Sequence, residues 1–233
     1  MKKRFGVLDD LVSIFYPLLC LACGEEEVTE TDQICIACEM ELPRTNFHFN
    51  KHNPFTDRFS GRIPLQSGAA FYYFFKGGKT QHLIHQIKYH GKKNIAVSLG
   101  RIYGNQLKTS PLFKDIDLIL PVPLHAYKLR QRGYNQSAVF AEGLSQAMGI
   151  PWKDHILKRV TYTTTQTKKS KLDRAENVEQ VFMVAHPKQI EGKHVLIVDD
   201  VLTTGATLES CANEVLKVPG TKISLATIAM AKH

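Results

Sequence analysis

The sequence predicts an α/β protein, a mostly parallel, doubly wound sheet preceded by a small cysteine-bearing module. Three observations lead there. From residue 69 onward, short apolar runs alternate with amphipathic stretches, the pattern of strands joined by crossover helices. One such run, Val195–Val198, ends in the adjacent carboxylates Asp199 and Asp200 and is followed by Thr203-Thr204-Gly205. Four of the five cysteines form two C-x-x-C pairs, Cys20 with Cys23 and Cys35 with Cys38. A chain of 233 residues, 43% hydrophobic and 22% charged, has room for one core and one small appendage. We divide it into residues 1–43, a connection over 44–68, and a main domain over 69–233.

The segment "MKKRFGVLDDLVSIFYPLLC" has the basic start and apolar body of a signal peptide, but Asp9 and Asp10 interrupt it and Pro17 breaks it. Leu8, Leu11, Val12 and Phe15 instead share one face at helical spacing, which predicts a short amphipathic helix packed on the domain, with membrane-surface contact as the alternative. The cysteine pairs that follow have zinc spacing. Each C-x-x-C presents two thiolates from one tight turn, and two turns complete a tetrahedral S₄ site, so Cys20, Cys23, Cys35 and Cys38 are expected to hold a structural Zn²⁺. No apolar run is long enough to span a bilayer. With metal-ligand thiols, this places the chain in the cytoplasm, with peripheral contact at the inner face of the membrane as the variant.

Residues 44–68 are polar and dotted with Asn, Pro and Gly, which predicts a poorly structured connection. A strand follows at 69–75, then helices at 80–91 and 93–107, a strand at 115–123, and a helix at 135–149 capped by Asn135. Strands at 155–160 and 193–200, a helix at 206–217 and a strand at 222–231 complete the order. In a parallel sheet the site lies at the carboxyl ends of the strands, where Asp199 and Asp200 fall. The Thr203–Thr207 turn opens a helix, and a helix amino terminus with hydroxyl donors suits a phosphate. Carboxylates beside an anion site suit ribose hydroxyls or a divalent cation, so a sugar phosphate meets both demands. A net charge of +8 fits such a ligand. A P-loop ATPase is excluded by the lack of G-x-x-x-x-G-K-[ST], and a response-regulator receiver by the late position of the paired aspartates.

"VLIVDDVLTTGAT" resembles the PRPP-binding motif of type I phosphoribosyltransferases. The cysteine pairs, "QIKYHG", "PVPL…RQRGYNQ", "TQTKKSKLDRAENV" and "VDDVLTTGATL" are similar, in the same order, to the ComF family, whose ComFC-type members join a four-cysteine zinc module to a phosphoribosyltransferase domain and are linked to uptake of transforming DNA. The resemblance implies that Asp199 and Asp200 hold the ribose hydroxyls, that Thr203, Thr204, Gly205, Ala206 and Thr207 cradle the 5′-phosphate, and that Mg²⁺ accompanies PRPP. It also implies that the loop carrying Lys128, Arg130 and Arg132 receives pyrophosphate, that Lys88 points at the site, and that residues 161–178 close over the substrate with Gln166, Arg174 and Asn177 at polar positions. Arg174 is then a catalytic candidate with Asp199 and Asp200.

His82 and His85 share a helical face without a third ligand and are expected at the surface, whereas Cys211 is expected in the core. No base-recognition hood is evident, so the 1–43 module or the 44–68 connection has to supply one. That gap keeps open a second class, a PRPP-binding module that handles single-stranded DNA beside competence proteins such as a helicase, with basic charge and the aromatics Phe71–Phe75 as contacts. Of these five consecutive aromatics, about half are expected to point into the core.

Overall fold

The computed structural model describes residues 17–29, 33–160 and 181–232. Its centre is a four-stranded parallel sheet in the order β1 (Leu65–Phe74), β6 (Lys222–Ala231), β5 (His194–Leu202), β2 (Leu118–Pro121). Val195–Val198 of β5, all four residues of β2 and Ile223–Met230 of β6 are buried whichever way their side chains point. Strands buried on both faces need helices on both faces, as the sequence predicts. The covering helices are α3 (Lys79–Tyr89), α4 (Lys93–Thr109), α6 (Gln136–Met148) and α7 (Ala206–Leu216). α4 and α6 touch backbone to backbone, because a Cβ on Gly143 would stand 2.2 Å from the Val97 carbonyl oxygen.

The connection expected over 44–68 is instead built into the core. Residues 43–45 cover the outer edge of β1, with Thr45 N–H on the Phe71 carbonyl and Tyr73 N–H on that of Pro43. A short helix, α2 (Pro54–Asp57), follows, with Asn53 as its cap in a box with Thr56. The Asn53 amide also donates to the carbonyls of Asn50 and Gly68 at 2.8 and 3.0 Å. Phe55 and Phe59, one helical turn apart, are fully buried. Asn-Pro is a helix start as well as a loop signal, and two buried rings outweigh the polar composition around them. β1 accordingly begins at Leu65 rather than residue 69.

Two further differences concern turns and strands. The stretch expected as a basic loop after β2 forms a seven-residue helix, α5 (Ala126–Arg132), capped by the His125 side chain and ended by Gly133 at φ +75°. Its residues Ala-Tyr-Lys-Leu-Arg-Gln-Arg are competent helix formers between two stop signals. β3 (Leu157–Val160) does not join the parallel sheet but pairs antiparallel with β4 (Val181–Val184), a strand hidden in the sequence by the polar run before it. In the amino-terminal module, α1 (Ile36–Glu41) starts at Cys35, and Cys20, Ala22, Cys38 and Leu42 belong to the same buried cluster as the sheet.

Candidate functional site

The carboxyl ends of β2 and β5 lie side by side, with Pro121 opposite Val198 and the Val122 N–H on the Val198 carbonyl at 2.9 Å. This register delivers the α5–α6 connection to the paired aspartates. Asn135 caps α6, accepting from Ser137 N–H at 3.1 Å, while its amide holds the Val122 carbonyl at 2.9 Å. Ser137 then donates its hydroxyl to Asp199 Oδ1 at 2.8 Å, and the Asp200 N–H donates to the same oxygen at 2.8 Å. Asp200 Oδ2 faces the Lys88 ammonium at 3.0 Å, from the last turn of α3. Burial and the neighbouring Asp200 charge push the Asp199 carboxyl up to about 7, against the pull of Ser137, the Asp200 N–H and Lys88.

Immediately after β5 the chain turns through Thr203, Thr204 and Gly205 into α7. Thr203, Thr204 and Ala206 are exposed, Thr207 is half-buried, and residues 199 and 201–208 line a small hollow of about 30 Å³. Gly205 is buried at φ +89°, a conformation that favours glycine. The first N–H groups of α7 have no acceptor within their own helix, so the hollow presents donors and the positive end of a helix dipole.

The basic residues of α5 divide. Lys128 and Arg130 are exposed, whereas Arg132 is held inward, with Nη1 on Gln136 Oε1 at 2.9 Å and its guanidinium 5.3 Å from the Tyr89 ring centroid. Its Nε is buried without a hydrogen-bond partner among the described residues. Tyr89 adjoins Lys88, and Tyr134 donates its hydroxyl to the Ile87 carbonyl, so α5 and the end of α3 form one wall beside Asp200. Arg174, Gln166, Asn177 and the rest of 161–178 lie outside the described residues, as does the expected helix through Leu8 and Phe15; Val160 and Val181, which flank 161–180, are register partners.

Cys20, Cys23, Cys35 and Cys38 do converge, their sulfurs within 4.8 Å of one another. Cys20 Sγ accepts from the N–H groups of Ala22 and Cys35 at 3.4 and 3.3 Å. Despite burial, those N–H groups and that of Cys23 draw its thiol down to about 6, whereas burial and the sulfurs of Cys35 and Cys23 push Cys38 up to about 12. Four crowded sulfurs can all ionise only around a cation, and the donor set fits Zn²⁺. His82 and His85 are exposed as expected, although His82 Nδ1 lies 3.1 Å from the Ala22 carbonyl and so joins α3 to this module. Cys211 is buried in the core. Phe71 and Tyr72 are buried on β1, leaving Phe75 as the exposed member of that run. The sequence reading missed Ser137, whose only signal was its place one residue inside a capped helix.

The phosphoribosyl transferase domain family matches residues 135–233. The chain is 33% identical over 138 residues to "DNA utilization protein YhgH" of Salmonella typhimurium, covering 58% of this chain and 60% of that protein. It is 36% identical over 116 residues to "Competence protein F" of Haemophilus influenzae, covering 49% of this chain and 51% of the other. The chain thus spans about half to three fifths of the length of these relatives. "Competence protein ComFC" of Bacillus subtilis aligns over 228 residues at 22% identity, covering 87% of this chain and 90% of that protein. With the parallel sheet and the four-cysteine cluster, these matches make the chain similar to the ComF-type proteins, with a phosphoribosyltransferase-like domain behind an amino-terminal four-cysteine module.

Proposed function

We propose that the chain binds PRPP, or its ribose 5-phosphate part, with magnesium, and transfers the phosphoribosyl group to an acceptor during DNA uptake in competence. The observation that carries this reading is the pair Asp199–Asp200 at the end of β5, tied by Ser137 and Lys88 directly ahead of the α7 turn. In it, Asp199 and Asp200 accept from the ribose hydroxyls, residues 203–207 hold the 5′-phosphate, and Arg132, with Lys128 and Arg130 beyond it, faces the pyrophosphate. Two carboxylates close to a polyphosphate suit magnesium, which neutralises charge on the departing pyrophosphate. The bond from ribose carbon 1 to pyrophosphate breaks with its electron pair on the leaving group, and the acceptor forms the new bond as it gives up its proton. Lys88 orients Asp200, and Ser137 orients Asp199. The relatives' names supply the link to competence and DNA use. We place the protein in the cytoplasm; no described helix is long and apolar enough to cross a membrane.

Calorimetric titration of PRPP with magnesium, on the wild type and on Asp200→Asn, tests the site. We expect at least a tenfold loss of affinity in the variant; equal affinities refute the ribose assignment. A second reading, a non-catalytic module that binds single-stranded DNA beside a partner such as a helicase, draws support from Tyr89 and Tyr127, 58% and 62% exposed among the basic side chains of α3 and α5. It replaces the Phe71–Phe75 contacts, of which two are buried. Steeply salt-dependent DNA binding without pyrophosphate release from any acceptor would favour it.

A further inference from the structure

Three contacts join the segment 53–63 to the turn that follows β5. Phe59, fully buried, lies beneath Gly205, so close that a Cβ at 205 would stand 3.1 Å from its ring. Arg58 donates from Nη1 to the Thr203 carbonyl at 3.3 Å. Arg62 makes a two-pronged pair with Glu209, Nε to Oε1 at 3.0 Å and Nη2 to Oε2. All three residues come from the stretch that composition marks as a linker. They also lie far from β5 in sequence, so only the fold brings them to the hollow.

The charges around the turn follow a consistent logic. Glu209 stands in the first turn of α7, where a lone carboxylate would oppose an anion bound at the helix terminus. Arg62 cancels that charge. Arg58 has no such counter-charge: its guanidinium donates to a neutral carbonyl, and among the described residues no other group accepts from its remaining N–H groups. A guanidinium anchored by one exposed N–H to a carbonyl of a residue lining the hollow has its other donors available to an anion at that rim.

We infer that the segment 53–63, packed against the residues that line the phosphate hollow, brings Arg58 to its rim as a ligand of the 5′-phosphate, with Phe59 and Arg62 as positioning residues. The inference rests on the sugar-phosphate reading of the site and adds a cation to it from outside the family's motif. Arg58 makes the hollow select a phosphomonoester, whereas the backbone N–H groups alone would accept any small anion.

The test is calorimetric titration of ribose 5-phosphate into the full-length wild type, Arg58→Ala, Arg58→Gln, Arg58→Lys, Arg62→Ala and the double variant Arg62→Ala/Glu209→Ala, at two salt concentrations. Thermal unfolding of each variant confirms the fold. Gln keeps a donor for the Thr203 carbonyl without the charge, and Lys keeps the charge. We expect Ala and Gln at 58 to lose about tenfold in affinity and part of the salt dependence, and Lys to stay within about threefold of wild type. Arg62→Ala should weaken binding by exposing Glu209, and the double variant should recover it. Wild-type affinity in Arg58→Ala and Arg58→Gln overturns the inference, as does a Lys variant as weak as Ala, which would mark Arg58 as an anchor only. A wild type that takes up no ribose 5-phosphate instead refutes the reading of the site itself.

Discussion

Replacing Asp199 by Asn separates what this carboxylate does for the fold from what it does for the ligand. Asn keeps the shape, and its Oδ1 can still accept from Ser137 and from the Asp200 N–H, so the variant removes charge and little else. Burial, then the Asp200 charge, raise the wild-type carboxyl from its ordinary 3.8 to about 7. Because the folded value lies above the unfolded one, ionising Asp199 weakens the fold. The penalty is absent below pH 4, grows between pH 4 and 7, and is complete above 7. Three pH intervals at about 1.4 kcal/mol each set an upper limit of about 4 kcal/mol. Because part of the shift is repulsion from the neighbouring Asp200 charge and not burial, about 2 kcal/mol is the expected gain from Asp199→Asn at pH 8. For a chain of this size that is roughly a 4–8 °C rise in Tm. Urea unfolding at pH 8 and pH 4.5 reads the effect, which should shrink toward zero at the lower pH. PRPP affinity should fall in the same variant, since a ribose hydroxyl loses a charged acceptor. A variant less stable than wild type at pH 8, or equally stabilised at both pH values, would refute this reasoning.

Three other outcomes are expected. Gly205→Ala forces an L-residue into φ +89° and its methyl to 3.1 Å from the Phe59 ring, which should cost roughly 2–3 kcal/mol and weaken ribose 5-phosphate binding, measured by denaturation and calorimetry. Protein purified without added metal should contain one zinc per chain by elemental analysis, and Cys38→Ser or chelation should lower thermal stability, because Cys20 and Cys38 are part of the main buried cluster. Arg174→Ala should reduce pyrophosphate release from PRPP more than it reduces PRPP affinity, compared by turnover and calorimetry, as expected of a group acting in the transition state.

The sequence by itself determined the elements whose signals are local and dense. Periodic apolar runs specified the four strands of the parallel sheet and the four long helices, because burial on both faces demands such runs. Two C-x-x-C pairs specified the sulfur cluster, and D-D-x-x-x-T-G specified the end of β5 and its turn, since each motif carries its chemistry within a few residues. The tertiary structure alone decided whatever depends on distant residues meeting. The 44–68 stretch is polar in composition, yet Phe55, Phe59, Arg58 and Arg62 acquire their roles from β1 and α7, far along the chain. β3 and β4 pair across a long polar interval that no local pattern bridges. Ser137 and Lys88 reach the aspartates only because α6 begins and α3 ends beside the carboxyl end of β5. Burial, which lifts the Asp199 carboxyl, is likewise a property of the assembled core and has no counterpart in the order of the residues.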